Sequence, residues 1–215
     1  MELFEILQGP DDKNSPFDDY VPIIQSKDGR TTTVYLTDSI SYPSEYNKLC
    51  YILDNAKPGD TVTLHINNGG GHIDSAFQII NSMKHSKAHI IGKLSGTVAS
   101  ASTVISLCCH ELIVADYTAF MVHNYSASGG HGKGHELKAY QTFNDKALNT
   151  AFKDIYSGFL TNREMQAVID GQDLWMGKEE VLSRWSSKIT GTAITAKETS
   201  TPSISRRGRP SRKAD

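Results

Sequence analysis

Three short stretches hold residues whose types could carry nucleophilic or acid–base chemistry. Gly69-Gly70-Gly71 sits between an apolar run and a helical one. Glycines there let the backbone turn tightly, approach a bound group and leave N–H donors free at a helix N-terminus. A plain tight turn uses the same residues. A dinucleotide loop would need G-x-G-x-x-G, which His72-Ile73-Asp74-Ser75-Ala76 breaks, and no G-x-x-x-x-G-K-[ST] for ATP occurs. Ser100, within Gly96-Thr97-Val98-Ala99-Ser100-Ala101-Ser102, stands where a strand pattern gives way to an apolar helix. It can present Oγ beside N–H groups able to hold an oxyanion, or simply cap the helix. His123 closes the apolar run Ala119-Phe120-Met121-Val122 and reads as a base or as a structural histidine. The cysteines offer less. Cys50 stands alone, Cys108 and Cys109 are adjacent, and no CxxC or Cys/His metal spacing is present, so reduced, buried thiols are expected.

Elements must position these residues. Strand signals at 33–36, 61–66, 89–94, 112–114 and 119–122 alternate with helical stretches at 44–55, 73–85 and 99–109. That alternation predicts βαβ units and a largely parallel sheet. After Asn124 a glycine-rich segment, 126–134, leads to a long helix over 137–160 and a shorter one over 163–169. Residues 1–31, with Pro10, Pro16 and Pro22, read as a mobile N-terminal arm. Residues 32–185 read as one domain, and 186–215 as a disordered basic tail.

Composition agrees with a globular chain. Of 215 residues, 38% are hydrophobic and 21% charged, enough for one α/β core. No apolar run approaches the roughly 18–20 residues that span a bilayer, and the acidic N-terminus lacks a signal-peptide pattern, so a cytoplasmic location is expected. The net charge of −2 is uneven: residues 186–215 hold seven Lys/Arg against two Asp/Glu, leaving the rest near −7.

Taken together, the motifs resemble the ClpP serine peptidase family. Ile66-Asn67-Asn68-Gly69-Gly70-Gly71 is similar to the family's Ile-Asn-Ser-Pro-Gly-Gly turn, and 96–102 to its Gly-x-Ala-Ala-Ser-Met-Gly nucleophile segment. Met121-Val122-His123-Asn124-Tyr125 stands for Met-Ile-His-Gln-Pro. Asp173-Leu174-Trp175-Met176, with Glu180-Val181 beyond, resembles the segment holding the last triad member. Departures occur at Gly69, Ser102 and Asn124-Tyr125, as expected of a divergent member.

The resemblance implies an α/β fold of ClpP/crotonase-like repeated β-β-α units with a projecting handle helix. It implies a catalytic triad of Ser100, His123 and Asp173 and an oxyanion hole from the N–H groups of Gly71 and Ala101. No cofactor or metal is called for. The order Ser…His…Asp differs from that of α/β-hydrolases. The implied function is endopeptidase cleavage of peptides or unfolded proteins inside a homo-oligomeric double heptameric ring, with a partner AAA+ unfoldase. An ATPase-independent phage prohead peptidase of the same fold, a crotonase-like enzyme and a non-catalytic ring subunit remain as alternatives. Finally, Arg207-Gly208-Arg209-Pro210, flanked by basic residues, resembles an AT-hook, which would take A·T-rich DNA in its minor groove; a solvated basic tail is the plainer reading.

Overall fold

A computed structural model describes residues 20–126 and 132–192. Apolar alternation in the strands determines the layering. Val34 and Leu36, then Val62, Leu64 and Ile66, then Ile90 and Leu94, and finally Phe120 and Val122 all point into one core. Successive strand side chains alternate faces, so even-numbered positions form a continuous buried face across the sheet.

The strands are β1 (Ile23–Gln25), β2 (Thr31–Leu36), β3 (Thr61–Asn68), β4 (His89–Ala99), β5 (Glu111–Val114), β6 (Ala119–Val122) and β7 (Leu174–Met176). They form one sheet in the order β1-β2-β3-β4-β6-β7, with β5 also on β4. β2, β3, β4, β5 and β6 run parallel, while β1 and β7 add antiparallel edges. The sheet forks at β4. Residues 91–94 of that strand pair with β5, and residues 97–99 pair with β6. Gly96 marks the fork: its φ is +60°, and a Cβ there would lie 2.5 Å from Asn67 Oδ1. That oxygen accepts the Thr97 N–H at 3.0 Å, so the strand continues through the glycine.

Among the described residues the α-helices are α1 (Asn47–Asn55), α2 (Ile73–His85), α3 (Ala101–Ser106), α4 (Gly134–Tyr156), α5 (Asn162–Ile169) and α6 (Lys178–Thr190). The strands expected at 33–36, 61–66, 112–114 and 119–122 are all present, as is the helix over 73–85. Others differ. β4 is longer than 89–94 and α3 shorter than 99–109, because ladder bonds to β3 and β6 carry the extended backbone up to Ala99. β1 lies within the stretch read as an arm, and α6 runs five residues past 185 into the stretch read as a tail. Lys188 holds that last turn by donating to Ile155 O and Ser157 O.

α4 is the handle helix. No residue from Gly134 to Ala147 is buried, whereas Leu148, Phe152, Ile155 and Tyr156 are. Its second half therefore packs on the domain while its first half projects. Among the described residues, no helix is long and apolar enough to cross a membrane. Arg207, Gly208, Arg209 and Pro210 lie outside the described residues.

Candidate active site

Two neighbouring parallel strands end together, and their ends carry Ser100 and His123. β4 and β6 pair through Ala99↔Met121, and the Ser100 N–H donates to Met121 O at 3.0 Å. Ligands of parallel α/β sheets gather at such carboxyl ends. Ser100 turns the chain sharply from β4 into α3 with φ 55° and ψ −126°. It is the one non-glycine residue with positive φ among the described residues. That conformation costs roughly 1–3 kcal/mol, and such strain gathers at functional sites. Across the gap, His123 Nε2 lies 2.7 Å from Ser100 Oγ, a hydrogen bond suited to moving the hydroxyl proton.

The glycine turn seats against this serine. Gly70 has φ +90°, and a Cβ on it would lie 2.6 Å from Ser100 Cβ and 2.8 Å from Ala101 N. Only a residue without a side chain allows that approach. Asn68, which is buried, builds the turn. Its Oδ1 accepts from Gly70 N at 2.8 Å and from Ser102 Oγ, and its Nδ2 donates to Leu36 O at 2.8 Å. Ser102 stands where the ClpP motif has glycine, so it and Asn68 are paired departures. Asn68 was not singled out from the sequence, although an Asn two residues before a glycine is the signature of an Asx turn. The N–H groups of Gly71 and Ala101 donate to no acceptor among the described residues. Both border the cavity that contains Ser100 and His123.

Asp173 immediately precedes β7. The register Val122↔Leu174, extended by one pair, sets Asp173 opposite His123. Directly opposed residues share a face of the sheet. Asp173 is nevertheless exposed, and no hydrogen bond joins it to His123 in this structure. Ser100, His123, Gly71 and Ala101 are thus brought together, with Asp173 one cross-strand step away.

Behind His123 the chain is tied down at two points. Asn124 Nδ2 donates to Ile169 O at 2.9 Å, and Tyr125 Oη donates to Asp145 Oδ1 on α4. The Asp145 bond holds the Tyr125 hydroxyl above the ordinary phenol range. These residues replace the Gln-Pro of the ClpP motif, and only the fold shows what they do. Neither cysteine of the adjacent pair competes as a nucleophile. Burial pushes the Cys108 thiol up to about 11 and that of Cys109 higher still. Among the described residues, no group of three or more His, Cys, Asp or Glu side chains could hold a metal ion.

Comparisons with known proteins identify the family. The family model described as Clp protease matches residues 25–181. The ATP-dependent Clp protease proteolytic subunit 1 of Chlamydia muridarum is 24% identical over 145 residues, covering 65% of this chain and 74% of the relative. The protein of the same name from Protochlamydia amoebophila is 24% identical over 159 residues, or 69% and 75% of the two chains. With a mixed α/β sheet, a projecting helix and a family match spanning most of its length, the chain belongs to the Clp protease family as a divergent member.

Proposed function

We propose that this chain is a serine endopeptidase in which Ser100 is the nucleophile, His123 the general base and Asp173 the orienting acid. The observation that carries the reading is the 2.7 Å bond between His123 Nε2 and a Ser100 held at positive φ. Ser100 Oγ attacks the substrate carbonyl while His123 Nε2 takes its proton and then returns it to the leaving amine. With Nε2 accepting, the ring proton sits on Nδ1, where Asp173, opposite His123 in the extended β6–β7 register, is the carboxylate that would orient it. The developing oxyanion is met by the N–H groups of Gly71 and Ala101, which have no other acceptor among the described residues. Water then releases the acyl group by the same steps.

The ring is part of this reading. Phe143 is 68% exposed on the projecting half of α4, apolar surface that a facing copy would bury. A double heptameric ring would enclose the serines and spare folded proteins, leaving substrate delivery to a partner AAA+ unfoldase. The body, residues 32–185 with its flanking β1 and the end of α6, would form the ring, and the basic tail could reach DNA.

A fluorophosphonate probe tests the chemistry. We expect a stoichiometric adduct on Ser100, lost in Ser100→Ala and strongly slowed in His123→Ala. An unmodified protein after prolonged exposure would overturn the reading and favour a non-catalytic subunit. Light scattering tests the ring: a mass near that of one 23.6 kDa chain at micromolar concentration would remove the chamber.

A further inference from the structure

We infer that the cavity beside Ser100 accepts a long side chain with an apolar stem and a cationic end, lysine or arginine, and that Asp74 selects it. The inference rests on the peptidase reading above and names its substrate class. The cavity is about 490 Å³ in volume. Leu148, Phe152 and Tyr156, all buried and one helical turn apart along α4, supply its apolar floor. Asn144 and Tyr140 continue the same helical row toward the polar, open end of α4.

The start of α2 borders the same cavity through His72, Ile73 and Asp74. Asp74 is exposed and has no hydrogen-bond or ion-pair partner among the described residues. Among the described residues, no lysine or arginine lines the cavity, and the other titratable groups there are His72, His123 and three tyrosines. The fixed charge of the lining at neutral pH is therefore negative. An aliphatic side chain would fill the floor and leave that charge unanswered. Lysine and arginine bury their methylene stems on apolar surface and extend the charged head to a polar partner. The alternative role for Asp74 is to complement the N-terminal dipole of α2, which would leave substrate choice untouched.

The full-length chain and a set of fluorogenic peptide amides separate the two. The amides differ only in the residue before the scissile bond: lysine, its uncharged isostere norleucine, or glutamate. We expect kcat/KM for lysine to exceed that for norleucine by about two- to fivefold, the range of a solvent-accessible ion pair, with glutamate lowest. The preference should shrink at about 1 M salt, where screening is strong. Asp74→Asn should bring the lysine-to-norleucine ratio close to one, and Asp74→Lys should invert it. Equal or better cleavage after norleucine in the wild type, or an unchanged ratio in Asp74→Asn, overturns the inference. If the fluorophosphonate adduct forms but amides are not turned over, the same ratio is read from how well each peptide protects Ser100. If neither adduct nor cleavage is seen, the peptidase reading fails and this one falls with it.

Discussion

Ser100 and Arg184 each stand at the centre of a hydrogen-bonded cluster, and the two clusters are finished to different degrees. Arg184 is 2% exposed, yet its guanidinium is fully engaged. It grips both oxygens of Glu164, at 3.0 and 2.8 Å, and bonds Glu180 Oε1 and Phe159 O. Glu164 also closes the capping box of α5 with Thr161, so α5, α6 and the turn after α4 are locked by one set of charges. At Ser100 the backbone is strained, two N–H groups have no acceptor among the described residues, and the nearby carboxylate is exposed. Complete satisfaction suits a cluster that holds the fold, and the unmet groups at Ser100 are the ones the proposed peptidase role would use.

The contrast can be broken most sharply at the serine. Ser100→Ala should cost on the order of 10⁶ in kcat while leaving the thermal midpoint within a few degrees of wild type. Steady-state peptide hydrolysis and scanning calorimetry together check it; retention of a few per cent of turnover would move the nucleophile elsewhere, and Ser102, fully buried with its hydroxyl on Asn68, could not take its place without a rearrangement. Asp173→Ala should lose roughly 10³–10⁴ in kcat, less than the serine variant, because orientation is more replaceable than bond formation. A loss under tenfold would show that the exposed position seen here persists in the working enzyme.

Arg184→Met should act in the reverse sense. Stranding two carboxylates around a buried site costs about 3–5 kcal/mol, read from denaturant unfolding, and any loss of activity should follow the loss of folded protein. A drop below about 1 kcal/mol would mean water replaces the arginine freely. A gentler probe is acid. Burial alone would raise the Glu164 carboxyl, but hydrogen bonds from Arg184 and Thr161 outweigh it and hold the group below its ordinary range. A carboxyl lowered by folding stabilises the protein above its unfolded value of about 4.3, and that contribution disappears as pH falls through the folded value. Wild type should therefore lose stability below about pH 4.5, whereas Glu164→Gln should start lower at pH 7 and show a shallower acid slope. Parallel curves would locate the acid sensitivity elsewhere. The smallest expected effect is Ser100→Gly. Relief of the positive φ should outweigh the entropy of glycine by about 1 kcal/mol and raise the midpoint by roughly 2–4 °C. An unchanged or lower midpoint would mean that Ser100 stores no strain.

Much of the fold is legible where a pattern is long and uninterrupted. The thirteen residues of α2 match the expected span because Ala76, Ile79, Ile80 and Met83 recur at helical spacing. β7 could not be read in that way: three residues are too few to show a period, and it exists because β6 offers an unpaired edge. The last turn of α6 is polar, Ser186-Ser187-Lys188, and resembles a tail until Lys188 is seen capping the carbonyls that end α4. The strand expected at 89–94 runs on to Ala99 because at Gly96 Asn67 fills the space a side chain would take and bonds the Thr97 N–H.

By itself, the sequence determined which residue types were available: a serine at a strand-to-helix junction, a histidine closing a strand, and glycines able to approach them. Local propensity and apolar periodicity reach that far because they act within a few residues. The pairing of Ser100 with His123 required β4 and β6 to lie side by side in register, although 23 residues separate the two in the chain. Tertiary structure also decided that Asp74 and the helix α4 border one cavity, and that Tyr125 is tied to Asp145. Those contacts arise when separate elements bury a common core, and no local rule of residue order encodes which side chains then meet.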